Sequence, residues 1–154
     1  MQFLCPTHQD ELGKLSDADM VSLWFDWMNQ AALYYEEGDW QQSVVYSGCS
    51  FELSIIYLSQ AEKNMQANAC KNLSLSAMYC INALIQNNEN HKASYVFAVV
   101  GKLLDNCSAR QEKVSPIKRI TSAFRNIAGH GEYFNNHLNF PFNRLDPQLN
   151  FAVH

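Results

Sequence analysis

The chain predicts an all-α protein, an up-and-down bundle of five to six helices in one domain. Apolar residues recur at the i, i+3, i+4 spacing of a helix through most of its length. With 6 Gly and 4 Pro in 154 residues, it lacks the dense turn punctuation of an all-β chain. Apolar residues make up 47% and charged residues 17%, a globular balance with enough apolar surface for its own core.

The elements follow from stripes and caps. An N-terminal arm over 1–15 precedes a first helix that Ser16 or Asp17 caps and Gly38 stops near Glu37. Met20, Leu23, Trp24, Trp27, Met28, Ala31 and Tyr34 form its stripe, and the Trp and Tyr cluster of this region reads as core. A second helix runs from Asp39 into the low sixties, with Val44, Gly48, Phe51, Ile55 and Leu58 on one face. A third is expected near 71–87 and a fourth over about 91–105, separated by the breaker QNNEN. Ser115 as cap, Pro116 at the first position and Gly129 past the end frame a fifth helix, whose core face is Ile117, Ile120, Phe124 and Ile127. A short helix or turn over 130–138 completes the bundle, 16–138, and an apolar tail over 139–154 is expected to pack along it or on a partner chain.

The N-terminus has no basic segment followed by an apolar one, so it does not read as a signal peptide. The longest apolar run, Tyr95 to Val100, is too short to span a bilayer. The expectation is a soluble cytoplasmic protein without membrane contact. Its five cysteines form no CxxC pair and no metal-type spacing, and they read as reduced, structural thiols. The stretch WMNQAALYYEEGDWQQS resembles the first helix and turn of a tetratricopeptide unit through Trp27, Ala31, Tyr34, Gly38 and Trp40. That resemblance covers one hairpin, with no closing Pro and no second copy at the repeat length.

Net charge is −4, unevenly placed. Residues 1–60 carry nine acids against one Lys, whereas 61–154 carry ten bases against six acids. Between 110 and 125, Arg110, Lys113, Lys118, Arg119 and Arg125 face only Glu112. Such a segment is an electrostatic footprint for phosphate, or simply the half of the fold that neutralises the acidic one.

Inside that segment lies Arg125-Asn-Ile-Ala-Gly-His130. RNA supplies its own nucleophile, the 2′-hydroxyl, so cleavage needs only alignment, proton transfer and charge stabilisation. An imidazole can move the proton near neutral pH. A guanidinium can grip two phosphate oxygens through its planar fork. At 100° per residue, Lys118 and Arg125 fall on one flank of the apolar stripe with Thr121 between them, placing Arg125 at a half-sheltered rim. The bland alternative is an Arg125 paired with an acid, such as Glu132 or one on the N-terminal helices, and a His130 hydrogen-bonded to backbone. His130, His137 and Glu132 make a poor metal set, and no metal or other cofactor is expected.

The motif resembles the signature of the HEPN superfamily: Arg, a polar residue that is often Asn, then a few residues to His, on a small helical bundle. YSGCSFELSIIYLS, with Glu52 inside an apolar run, loosely resembles that family's central helix. The resemblance implies a metal-independent endoribonuclease that leaves 2′,3′-cyclic phosphate ends and acts as a toxin or defence factor. Arg125, His130 and Asn126 would be catalytic, with Lys118, Arg119 and Lys113 gripping RNA. It also implies a homodimer with a composite cleft, and an antitoxin or other protein partner. Many members carry an aromatic two residues past the His, whereas Tyr133 is three past it. Two other classes stay open: a non-catalytic helical adaptor, and a protein of this fold that binds RNA or nucleotide without cleaving it.

Overall fold

The computed structural model describes residues 1–112, 115–146 and 151; Lys113 lies outside them. The described chain is an all-α bundle without strands. Seven helices follow in order: α1 Pro6–Leu12, α2 Asp17–Glu36, α3 Trp40–Gln60, α4 Gln66–Gln86, α5 Asn90–Ser108, α6 Pro116–Arg125 and α7 His130–Asn135. Single 3-10 turns occupy Lys63–Met65 and Ile127–Gly129. No described helix is long and apolar enough to cross a membrane.

The caps explain the boundaries. Ser16 Oγ accepts from Asp19 N at 3.1 Å, Asp39 Oδ1 from Gln42 N at 3.2 Å and Ser115 Oγ from Lys118 N at 3.2 Å, satisfying amides that have no helical partner. Gly38, at φ +75°, turns the chain out of α2, and Asn88, at φ +60°, does the same after α4.

Three boundaries differ from the sequence expectation. The N-terminal arm contains α1, which Pro6 opens from an extended Cys5. The third expected helix starts five residues early, at Gln66, because the 3-10 turn at Lys63–Met65 feeds directly into it. The helix expected to reach Gly129 stops at Arg125, where Asn126 (φ −93°, ψ 86°) leaves helical geometry and Ile127–Gly129 tightens into the 3-10 turn.

Helix α4 is the axis of the fold, packed by α3, α5, α6 and α7, with 15 of its 21 residues buried. Apolar residues interleaved with small serines let α4 be covered on nearly every side. Serines line the α3–α4 seam and let the two backbones approach. Their hydroxyls are satisfied within their own helices, Ser47 donating to Ser43 O at 2.7 Å, Ser54 to Ser50 O at 2.9 Å and Ser76 to Asn72 O at 2.7 Å.

Two polar clasps tie the ends of the chain to this core. The Glu52 carboxylate, nearly buried in α3, accepts from Phe3 N at 2.7 Å and Leu4 N at 2.8 Å, pinning the N-terminal arm. At the other end, Tyr79 donates to Pro141 O at 2.9 Å, and Asn82 Nδ2 donates to Asn143 O at 2.9 Å. Asn143 N donates to the Tyr35 hydroxyl at 2.7 Å, and that hydroxyl donates on to Asn82 Oδ1. Rings cover these bonds: Tyr79 stacks between Tyr35 and Phe134 at 5.1 and 4.9 Å, with Phe140 and Phe142 tilted beside it.

Candidate functional site at the α6–α7 junction

Arg125 is the last residue of α6, and His130 is the first of α7. The 3-10 turn between them reverses the chain enough to bring the His130 ring back under α6. There Nε2 lies 2.6 Å from the carbonyl oxygen of Phe124. A carbonyl can only accept, so Nε2 carries the hydrogen and Nδ1 the lone pair. The ring is fully buried, 5.5 Å from the Phe124 ring, and Nδ1 has no protein partner. Protonation would place a bare charge among apolar groups. Burial accordingly pushes the imidazole down from 6.5 to about 4, although the Phe124 carbonyl pulls the other way. At neutral pH His130 is a neutral hydrogen-bond donor that closes one of the open carbonyls at the end of α6.

The Arg125 side chain lies on α5. Its guanidinium forms an ion pair with Asp105 and lies over the Phe97 ring, 5.6 Å from the centroid. Between those two contacts it presses on the bare backbone of Gly101, where an added Cβ would meet Nη1 at 2.5 Å. Phe97, Gly101 and Asp105 recur every four residues, so they form a single ladder along α5: a π face, a gap and an acid. The side chain is 35% exposed, the half-sheltered rim that the helical wheel predicts. Its acid comes from α5 rather than from Glu132 or the N-terminal helices. A Phe-x3-Gly-x3-Asp spacing was the available signal for this ladder. It is legible as a row on one helix, but nothing in it points to Arg125.

Asn126 is exposed, and its side-chain amide sits against Gly129, where a Cβ would come within 2.7 Å of Nδ2. Gly129 adopts φ −93°, so its small size serves this contact rather than a left-handed turn. Lys118 is half-buried and Arg119 exposed on α6, and neither forms an ion pair among the described residues. The structure therefore groups Arg125, Asn126 and His130 within one junction but gives the Arg and His separate partners, Asp105 for the one and the Phe124 carbonyl for the other.

A cleft of about 680 Å³ runs beside this junction between Ile127–Glu132 and the tail segment Phe142–Leu145. Glu132 and Arg144 put one charge of each sign on its walls. Lys118, Arg119, Arg125 and His130 do not line it. Among the described residues, no three His, Cys, Asp or Glu side chains converge as a metal set, so His130, His137 and Glu132 do not assemble one. No family model, curated protein or solved structure matches this chain.

Proposed function

We propose that the protein is a non-catalytic, all-α binding module in which Arg125, Asn126 and His130 hold the α6–α7 junction together. One observation carries this reading: the His130 ring is fully buried, with Nε2–H on the Phe124 carbonyl and Nδ1 out of reach of solvent. A general base must present its lone pair to the proton it removes. Arg125, meanwhile, already has an acid, so phosphate would have to displace Asp105.

A second reading, a metal-independent homodimeric endoribonuclease, draws support from the exposed Asn126 beside Arg125 and from Lys118 and Arg119 on the same short helix, which form no ion pair among the described residues. In that reading a partner chain or RNA draws the His130 ring out and completes a composite cleft.

Incubating RNA with the protein in excess EDTA separates the two. The binding-module reading expects intact RNA from wild type. Cleavage to 2′,3′-cyclic phosphate ends, lost in folded Arg125→Lys and His130→Gln variants, would replace it with the ribonuclease.

A further inference from the structure

The side chains that clasp the tail bond to its backbone. Tyr79 donates to Pro141 O, Asn82 Nδ2 donates to Asn143 O, and the Tyr35 hydroxyl accepts from Asn143 N. A longer bond, from Asn143 Nδ2 to Gln86 Oε1 at 3.4 Å, is the addition from a tail side chain. Residues 138–146 are neither helix nor strand, and from Phe140 to Asn143 burial alternates as in an extended chain. Phe140 and Phe142 are half-buried, and Pro141 and Asn143 are exposed. The two Phe rings lie against Tyr79 and Phe134, with centroids 5.0 to 6.1 Å apart.

The tail does not fill the space it lies in. Phe142, Asn143 and Leu145 share the cleft of about 680 Å³ with Ile127 and Ala128. Pro141 and Asn143 share a second, of about 340 Å³, with Glu36, Gly38 and Trp40. A core segment is close-packed, whereas this one is bordered by open space. Tyr35, Tyr79 and Asn82 are buried, and the atoms they meet belong to the tail, so a departing tail uncovers them.

Main-chain hydrogen bonds combined with seats for alternate side chains are a recurring way of holding an extended peptide. We infer that Tyr35, Tyr79, Asn82 and Phe134 form a peptide-binding groove that the chain's own tail occupies, and that its partner is an extended protein segment of the pattern Phe-Pro-Phe-Asn. The tail supplies that chemistry. Alternate aromatics seat on Tyr79 and Phe134, and the Pro between them offers its carbonyl, lacks no donor that the groove uses and keeps the residue before it extended. A tethered tail competes at an effective concentration on the order of millimolar, so a partner binds as the tail yields. The inference rests on the binding-module reading, which RNA cleavage tests; peptide affinity is a separate assay, so each can fail alone.

The test titrates the full chain into a fluorescently labelled peptide, Leu-Asn-Phe-Pro-Phe-Asn-Arg-Leu, which copies residues 138–145. Wild type should bind it weakly. Phe142→Ala loosens the tail and should bind it roughly tenfold more tightly or better. Asn143→Pro, which removes the tail's donor to Tyr35 and leaves both rings, serves as a second host. Replacing the amide before the peptide's second Asn by an ester removes that N–H and should weaken binding to the Phe142→Ala protein roughly tenfold. Adding Tyr35→Phe to that host removes the acceptor of the same bond, so the ester should then cost little more. Any of four results overturns the inference. They are no binding to a folded host, equal affinity of wild type and both hosts, an ester effect that is absent or undiminished without the Tyr35 hydroxyl, and loss of native circular dichroism in both hosts, which would make the tail part of the core.

Discussion

Protonating His130 should unfold the α6–α7 junction, and the effect can be sized from the structure. The folded ring titrates at about 4 and an unfolded one at 6.5. Above the unfolded value both states hold a neutral imidazole, and stability does not depend on this group. Between the two values the unfolded chain binds a proton that the folded chain refuses, so stability falls as pH falls. Below the folded value both are charged and the loss levels off. The whole gap is worth about 3 kcal/mol, of which about 2 kcal/mol is lost between about pH 7.5 and about pH 5. Urea unfolding followed by circular dichroism at those two pH values measures it. His130→Gln provides the comparison, because Gln retains an N–H donor for the Phe124 carbonyl but does not titrate. Wild type should lose about 2 kcal/mol more than the variant on acidification. The other described histidines, His8, His91 and His137, are exposed and present in both proteins, so their contributions cancel. Parallel stability–pH profiles for the two proteins would refute the reasoning. So would a direct NMR titration of the His130 ring near its unfolded value, which would put the imidazole within reach of solvent.

Three further outcomes follow from the clasps and the thiols. Glu52→Gln replaces a charged acceptor of two backbone amides and should cost about 1–3 kcal/mol, with hydrogen exchange at Phe3 and Leu4 accelerating before any other site. Tyr35→Phe removes the hydroxyl shared by Asn82 and Asn143 and should cost about 1–3 kcal/mol, with proteases cutting first between 141 and 146. Burial pushes the Cys49 thiol up to about 11 and those of Cys70 and Cys80 up to about 12, and Cys107 is buried. A thiol reagent should therefore label Cys5 fast in the native protein and the other four only on unfolding; a second fast thiol would contradict the packing.

The pair Arg125 and Asp105 should contribute little by itself. Both side chains are more than a third exposed or close to it, and surface ion pairs are typically worth about 0–1 kcal/mol. Their role is orientation: together with Gly101 and Phe97 they hold the guanidinium on α5.

What the sequence determined by itself was local. The 3.6-residue stripes, Ser16 and Ser115 as caps, and Gly38 as a stop are written within a few residues of one another, and short-range sterics and hydrogen bonding act on them wherever they sit. The α6 boundary escaped because Asn126 leaves the helix to pack on Gly129, a contact made only after the 3-10 turn has formed. The state of the candidate site was decided entirely by tertiary structure. The spacing of Arg125 and His130 allowed one shared cleft or two separate environments. Desolvation chose between them: the His130 ring is fully buried against Phe124, and the bare Gly101 on α5 takes the guanidinium. The groove under the tail is equally invisible in the chain, because Tyr35 on α2 and Tyr79 and Asn82 on α4 converge on one stretch of backbone only in the fold.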